Sequence, residues 1–323
     1  MNDKALSGAV ERAHVHRKPE GVDAARRGVL KLMLAGALLP LVARSGGEAR
    51  IGLALGSGGA RGLAHVLVFE VLDDLGLRVH RVAGTSIGAI MGALYASGLS
   101  AADIHAHIDR LTVSADENWF RALLEEDLAR TIRFLQPDLG GGGLMKADAF
   151  LAFLEEVTGR EAFEELDVPL QVVATDLWTR EQVVMASGDL WPAVNASMAM
   201  PGLFSPVTLD DRVLVDGGLT NPLPYDLLWD DCDIVIAVDV LGTRTPEESG
   251  AVSYFDTSFS TFQIMQAAII GEKLRYREPD ILVRPDIRDV RVLEFHRFEE
   301  IFEQARPAQT SLREELVKRL GKS

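Results

Sequence analysis

An apolar strand that breaks into a run of glycines constrains this chain more than any other feature. Residues 51–55 read IGLAL and pass directly into Gly56-Ser57-Gly58-Gly59-Ala60-Arg61-Gly62, after which an apolar helix runs to about Leu75. A short apolar run closed by turn residues reads as a buried strand. The same grammar recurs at residues 80–84, which turn at Thr85-Ser86-Ile87 into a small-residue helix ending near Gly98. Later strand candidates are 170–175, 182–186, 213–215, 234–238 and 281–283. Strands separated by helical segments predict an α/β protein, a three-layer α/β/α arrangement around a mainly parallel central sheet. There is no internal repeat and no sharp linker. The expected division is an N-terminal extension over 1–48, one domain over 49–285 and a helical segment over 286–323 packed on it.

Charge narrows the classes of partner. The chain carries a formal net charge of −15, yet residues 1–48 hold eight Lys or Arg against five Asp or Glu, leaving −18 for the remainder. So acidic a body does not present the basic face that nucleic acid requires. It would not be drawn to an anionic bilayer either, so peripheral membrane contact would have to be apolar and local. The single cysteine, Cys232, excludes an internal disulfide framework and a multi-cysteine metal site. Within the extension, Arg26-Arg27 precede an apolar run over 32–43, the layout of a twin-arginine export signal. Leu41 is a poor residue two places before a cleavage point after Ala43. The expectation is export or membrane association, against a cytoplasmic protein with a disordered tail. After residue 50 the chain holds no unbroken apolar run of roughly twenty residues, the length a spanning helix needs.

Three motifs carry chemistry. Gly84-Thr85-Ser86-Ile87-Gly88 fits the nucleophile elbow G-x-S-x-G, in which a serine sits on a tight strand-to-helix turn with glycines two positions to either side. The helix that follows aims its N-terminal dipole at the serine. The loop 56–62 can converge backbone N–H groups on an anion such as the oxyanion of a tetrahedral intermediate. It ends Arg61-Gly62-Leu63, so it lacks the Gly-Lys-Ser/Thr of a nucleotide-binding P-loop, and it lacks the spacing of a dinucleotide fingerprint. Third, Val215-Asp216-Gly217-Gly218 places a carboxylate at a strand end backed by two glycines, which permits close approach to another loop.

These elements, in this order, resemble the patatin-like phospholipase family, in particular its bacterial branch related to neuropathy target esterase. The stretches 174–177, 193–202 and 216–224 extend the resemblance, which covers about residues 51–297. It implies a patatin-like fold and a serine lipid-acyl hydrolase acting on a lipid or other ester substrate. It also implies a Ser–Asp dyad without histidine, here Ser86 and Asp216, and no metal or organic cofactor. The family's oxyanion loop maps onto Gly58, Gly59 and the backbone around Ala60, with Arg61 as its basic residue. Gly84, Gly88, Gly217 and Gly218 are the motif glycines. Two positions depart from the pattern. Ser57 stands where the first of three glycines is usual, with its N–H still expected to serve the hole. Asn195 replaces a usual arginine.

Several residues compete for attention. His65 lies on the apolar first helix and reads as a packing or hydrogen-bonding residue. His105 and His107 are two apart, which points them to different sides of a helix. The order Ser86, Asp216, His296 is that of an α/β-hydrolase triad, but His296 lies in a charged stretch that reads as surface. The apolar stripe over 119–135, ahead of Gly140–Gly143, reads as core or as a lid. The stripe Leu293, Phe295, Phe298, Ile301, Phe302 reads mainly as core. A catalytically silent lipid-binding protein on the same fold is the competing function class.

Overall fold

A computed structural model describes residues 49–113, 147–245 and 254–321. The N-terminal extension and the 119–135 stripe with its glycines lie outside the described residues. The described residues from Ala49 onward form one compact unit. Its elements are β1 Ile51–Leu55, α1 His65–Asp74, β2 Val79–Thr85, α2 Ile87–Ala96, α3 Ala101–Val113, α4 Asp148–Thr158, β3 Leu170–Asp176 and β4 Gln182–Met185. They continue with α5 Leu190–Met198, β5 Val207–Leu209, β6 Arg212–Asp216, β7 Ile234–Val238, α6 Tyr254–Tyr276, β8 Ile281–Val283 and α7 Phe298–Leu320.

The eight strands among the described residues form one sheet in the order β5-β6-β3-β2-β1-β7-β8, with β4 paired to β3. The run β3-β2-β1-β7-β8 is parallel, whereas β4, β5 and β6 are antiparallel to their neighbours. This is the mainly parallel sheet that the strand and helix alternation predicts. Its central strands are buried on both faces, so IGLAL and IVIAV read as continuous apolar runs rather than alternating ones. Leu53, Leu55, Val82, Val172, Ile236 and Val238 pack on one side with residues of α1, α2 and α7. Ala54, Ala83, Val235 and Ala237 pack on the other with Leu223, Tyr225, Leu228 and Ile270 of α6. Truncating a central residue such as Leu53 to alanine would cost on the order of 2–5 kcal/mol.

The stripe Phe298, Ile301 and Phe302 joins the core through α7, whose Gln309 donates to Glu70 and whose Arg313 pairs with Asp74 on α1. β5 and α6 carry no signal in the sequence reading. In α6 the reason is visible: the face turned to the protein bears Gln263, Gln266 and Lys273 among Phe262 and Ile270, so no apolar stripe marks it.

Candidate active site

The glycine loop and Ser86 leave adjacent parallel strands, β1 and β2, at their C-terminal ends, the edge where open α/β sheets bind ligands. Thr85 closes β2 and Ser86 takes φ 57° and ψ −123°, a conformation that costs a non-glycine residue on the order of 1–3 kcal/mol. The neighbours explain how this is tolerated. A side chain on Gly84 would run into the backbone of Gly88, and one on Gly88 would run into the Leu55 carbonyl. The turn is also held from outside. Ser197 Oγ accepts from the Ser86 N–H at 2.9 Å and donates to the Val173 carbonyl at 2.6 Å.

Asp216 arrives from the opposite direction. β6 runs antiparallel to β3 and ends with Asp216 facing Ala174, while Val173 faces Thr85 across the parallel pair. β3 therefore lies between the two residues in the sheet. The chain crosses over it because Gly217 has no side chain: a Cβ there would collide with the Val173 carbonyl and lie 3.1 Å from Thr85 Cγ2. The outcome is a direct hydrogen bond in which Ser86 Oγ donates to Asp216 Oδ2 at 2.7 Å. The other carboxylate oxygen accepts from the Gly218 N–H at 2.7 Å.

Asp216 is completely buried, and burial pushes its carboxyl up to about 6, against the two hydrogen bonds that favour the charged form. Near neutrality the group is a carboxylate whose proton affinity lies closer to that of a working base than an exposed aspartate's would. Among the described residues no histidine touches either partner. His296 is exposed in a short 3-10 turn. His65 is buried, its Nε2 bonds the Gly56 carbonyl at 3.0 Å, and burial pushes its ring down to about 4.

The glycine loop is more committed than its sequence suggests. The Gly56 N–H donates to Val238 O, Ser57 N–H to Pro222 O at 2.9 Å, and Ala60 N–H to Val292 O at 2.8 Å. This corrects two expectations: neither Ser57 nor Ala60 has a backbone donor to offer an oxyanion. Among the described residues, the N–H groups of Gly58 and Gly59 have no hydrogen-bond partner. Gly59 takes φ +60°, and side chains at Gly58 and Gly59 would strike the carbonyls of Val240 and Val292. Arg61, the basic residue of the loop, turns inward. It is buried, its Nε donates to the Gly58 carbonyl at 3.2 Å, and its guanidinium meets the side-chain oxygen of Gln263 once that amide is oriented toward it. It braces the loop through the Gly58 carbonyl. Asn195 lies half-buried on α5.

Two polar residues escaped the sequence reading. Gln266 of α6 donates from Nε2 to Ser57 Oγ at 2.9 Å, and it fills the space a side chain on Gly218 would need. Lys273, one face-repeat further along, donates to Leu223 O at 2.7 Å, to Asn221 Oδ1 at 2.5 Å and to Asp226. Seven-residue spacing was the only available signal, and polar residues at that spacing ordinarily mark a solvated face.

Comparison with known proteins agrees with the motif reading. The chain is 35% identical over 202 residues to an uncharacterized NTE family protein of Mycobacterium bovis, covering 62% of this chain and 52% of that one. It is 29% identical over 281 residues to a patatin-like phospholipase domain-containing protein of Caenorhabditis elegans, covering 78% of this chain and 20% of the relative. It is 26% identical over 275 residues to a lysophospholipase, NTE1, of Debaryomyces hansenii, covering 78% and 17%. The chain thus spans about half the length of the mycobacterial relative and less of the others. Among solved structures, VipD from Legionella pneumophila aligns with a TM-score of 0.46 at 14% identity, over 83% of this chain and 68% of that chain. The model of the patatin-like phospholipase family matches residues 53–229, more than half of the sequence and all three motifs, and the chain belongs to that family.

Proposed function

We propose that this protein is a serine lipid-acyl hydrolase, a phospholipase, lysophospholipase or carboxylesterase, that works through a Ser86–Asp216 dyad. The observation that carries the reading is the 2.7 Å hydrogen bond from Ser86 Oγ to a buried carboxylate, with no histidine beside either group among the described residues. Asp216 Oδ2 takes the proton as Ser86 Oγ attacks the ester carbonyl. The oxyanion that forms accepts from the Gly58 and Gly59 N–H groups. Collapse expels the alcohol, which leaves with the proton held by Asp216, and an acyl-serine remains. Water then adds to the acyl carbon, giving its proton to Asp216. Release of the fatty acid returns that proton to Ser86. The lysophospholipase among the relatives supports a lipid ester as substrate.

A fluorophosphonate probe, which reports an activated serine, tests this directly. The expected result is labelling of the native protein, none of Ser86→Ala, and very little of Asp216→Asn. Ester turnover should fall in the same way, with the double variant little worse than either single one. His296→Ala should hydrolyse normally. Absence of labelling in the native protein would mean a silent lipid-binding protein, and loss of turnover in a folded His296→Ala would mean a triad.

The N-terminal extension enters the proposal as an export signal. A reporter fused to residues 1–50 should leave the cytoplasm, and replacing Arg26 and Arg27 by lysine should hold it there. A reporter retained in both forms refutes the export reading.

A further inference from the structure

We propose that Gln266 is a positioning residue, which sets the glycine loop against the Asp216 turn through the Ser57 hydroxyl. The inference rests on the acyl-transfer reading above and adds a residue to it from α6, outside the motifs.

The donors and the base belong to separate loops. Gly58 and Gly59 follow β1, whereas Asp216 ends β6, and acyl transfer needs both fixed relative to one carbonyl carbon to within a fraction of an ångström. Ser57 joins the loops twice. Its N–H donates to Pro222 O at 2.9 Å, in the segment that follows the Asp216 turn, and its hydroxyl receives the Gln266 amide at 2.9 Å. Gln266 reaches the other loop by packing. Its amide nitrogen occupies the place of a Gly218 side chain, a place 3.0 Å from Asp216 Oδ1. Gly218 is the residue whose N–H holds that oxygen. One buried amide therefore touches the residue ahead of the donors and the residue that orients the base.

The residue types fit the role. A glycine at position 57 would give a glutamine nothing to bond, and a buried amide or hydroxyl without a partner costs stability. Ser57 and Gln266 are both almost fully buried and satisfy each other. The serine that breaks the glycine run is thus one half of a matched pair. The same face of α6 anchors Arg61 through Gln263 and the 221–226 segment through Lys273, so the helix is held on both loops at once.

The test measures steady-state hydrolysis of a soluble short-chain nitrophenyl ester, with fluorophosphonate labelling of native protein and Ser86→Ala as the control. Labelling of the native protein alone upholds the functional reading independently of Gln266. Labelling of Ser86→Ala overturns that reading and this proposal with it. Gln266→Leu and Ser57→Ala should each lower kcat about tenfold with KM within about twofold. The double variant should be no slower than either, since both remove the same bond. Ser57→Thr, which keeps the hydroxyl, should retain the native rate. Circular dichroism identifies any variant that fails to fold, and Ser57→Ala, which removes a single oxygen, carries the test if Gln266→Leu does not fold. Native kcat in folded Ser57→Ala overturns the proposal. Losses that multiply in the double variant, or a loss confined to KM, overturn it equally.

Discussion

The hydroxyl of Ser197 accepts from the backbone N–H of Ser86 at 2.9 Å and donates to the Val173 carbonyl at 2.6 Å. One side chain of α5 thus pins the strained elbow to the middle of the sheet. Ser197→Ala leaves a buried N–H and a buried carbonyl without that partner, which should cost on the order of 1–3 kcal/mol. Because the elbow loses its outside support, turnover should also fall. Thermal unfolding and ester hydrolysis on one preparation check both, and an unchanged melting temperature would refute the pinning role.

The burial of Asp216 predicts a pH profile. The carboxylate must be unprotonated to accept from Ser86, and burial raises its pKa to about 6 from an ordinary 3.8. kcat/KM should therefore fall about tenfold per pH unit on the acid side of about 6. An acidic limb near 4 would contradict the desolvated base.

The same shift has a stability consequence of opposite benefit. The folded pKa lies above the unfolded one, so between about 4 and 6 the native state binds more protons than the unfolded chain. The contribution of this group to stability is greatest below that window and falls as pH rises through it. Asp216→Asn removes the buried charge and keeps an acceptor for Gly218. It should be inactive yet more stable than the native protein above pH 6, on the order of 1–3 kcal/mol, with no gain below pH 4. Denaturant melts at pH 4 and pH 7.5 would show whether the difference appears only at the higher pH.

Gly58 and Gly59 should tolerate no side chain. Gly59 adopts φ +60°, and a Cβ at either position meets a carbonyl of a neighbouring segment. Gly59→Ala should displace the free N–H donors and reduce turnover on the order of a hundredfold or more. A bulkier residue would add strain against Val292, so loss of stability is expected with Gly59→Val as well. Near-native turnover in Gly59→Ala would remove this loop from the oxyanion site.

Trp178 stands 74% exposed beside Leu177 in the β3–β4 turn. Asp176 rigidifies that turn by accepting from the Trp178 and Thr179 N–H groups at 2.9 and 3.0 Å. The turn continues β3 past its C-terminal end, the edge of the parallel strands from which Ser86 projects. An indole displayed this way suits the water–lipid boundary. Trp178→Glu should lower hydrolysis of neutral phospholipid vesicles on the order of tenfold and leave a soluble short-chain ester unaffected. Equal effects on both substrates would place Trp178 outside any lipid contact.

Much of this protein follows from its letters alone. The alternation of apolar runs with helical segments determines a mainly parallel sheet, because a strand buried on both faces must be apolar throughout. The elbow is legible because local sterics dictate it: no residue but glycine fits at positions 84 and 88, where the backbone of the same turn leaves no room. The carboxylate is legible as a motif, Asp-Gly-Gly at a strand end. Only the tertiary structure decides that it reaches Ser86 by crossing β3, since β6 runs against its neighbour and residues 86 and 216 share no local pattern. The same holds for the loop. Ser57 and Ala60 lose their donors to Pro222 and Val292, carbonyls far away in sequence, which leaves Gly58 and Gly59. Gln266 is the extreme case. A buried amide on a long helix looks in the sequence like part of a solvated face, and its partner at position 57 is identifiable only once the chain has folded, because hydrogen bonds between distant segments depend on where the segments meet.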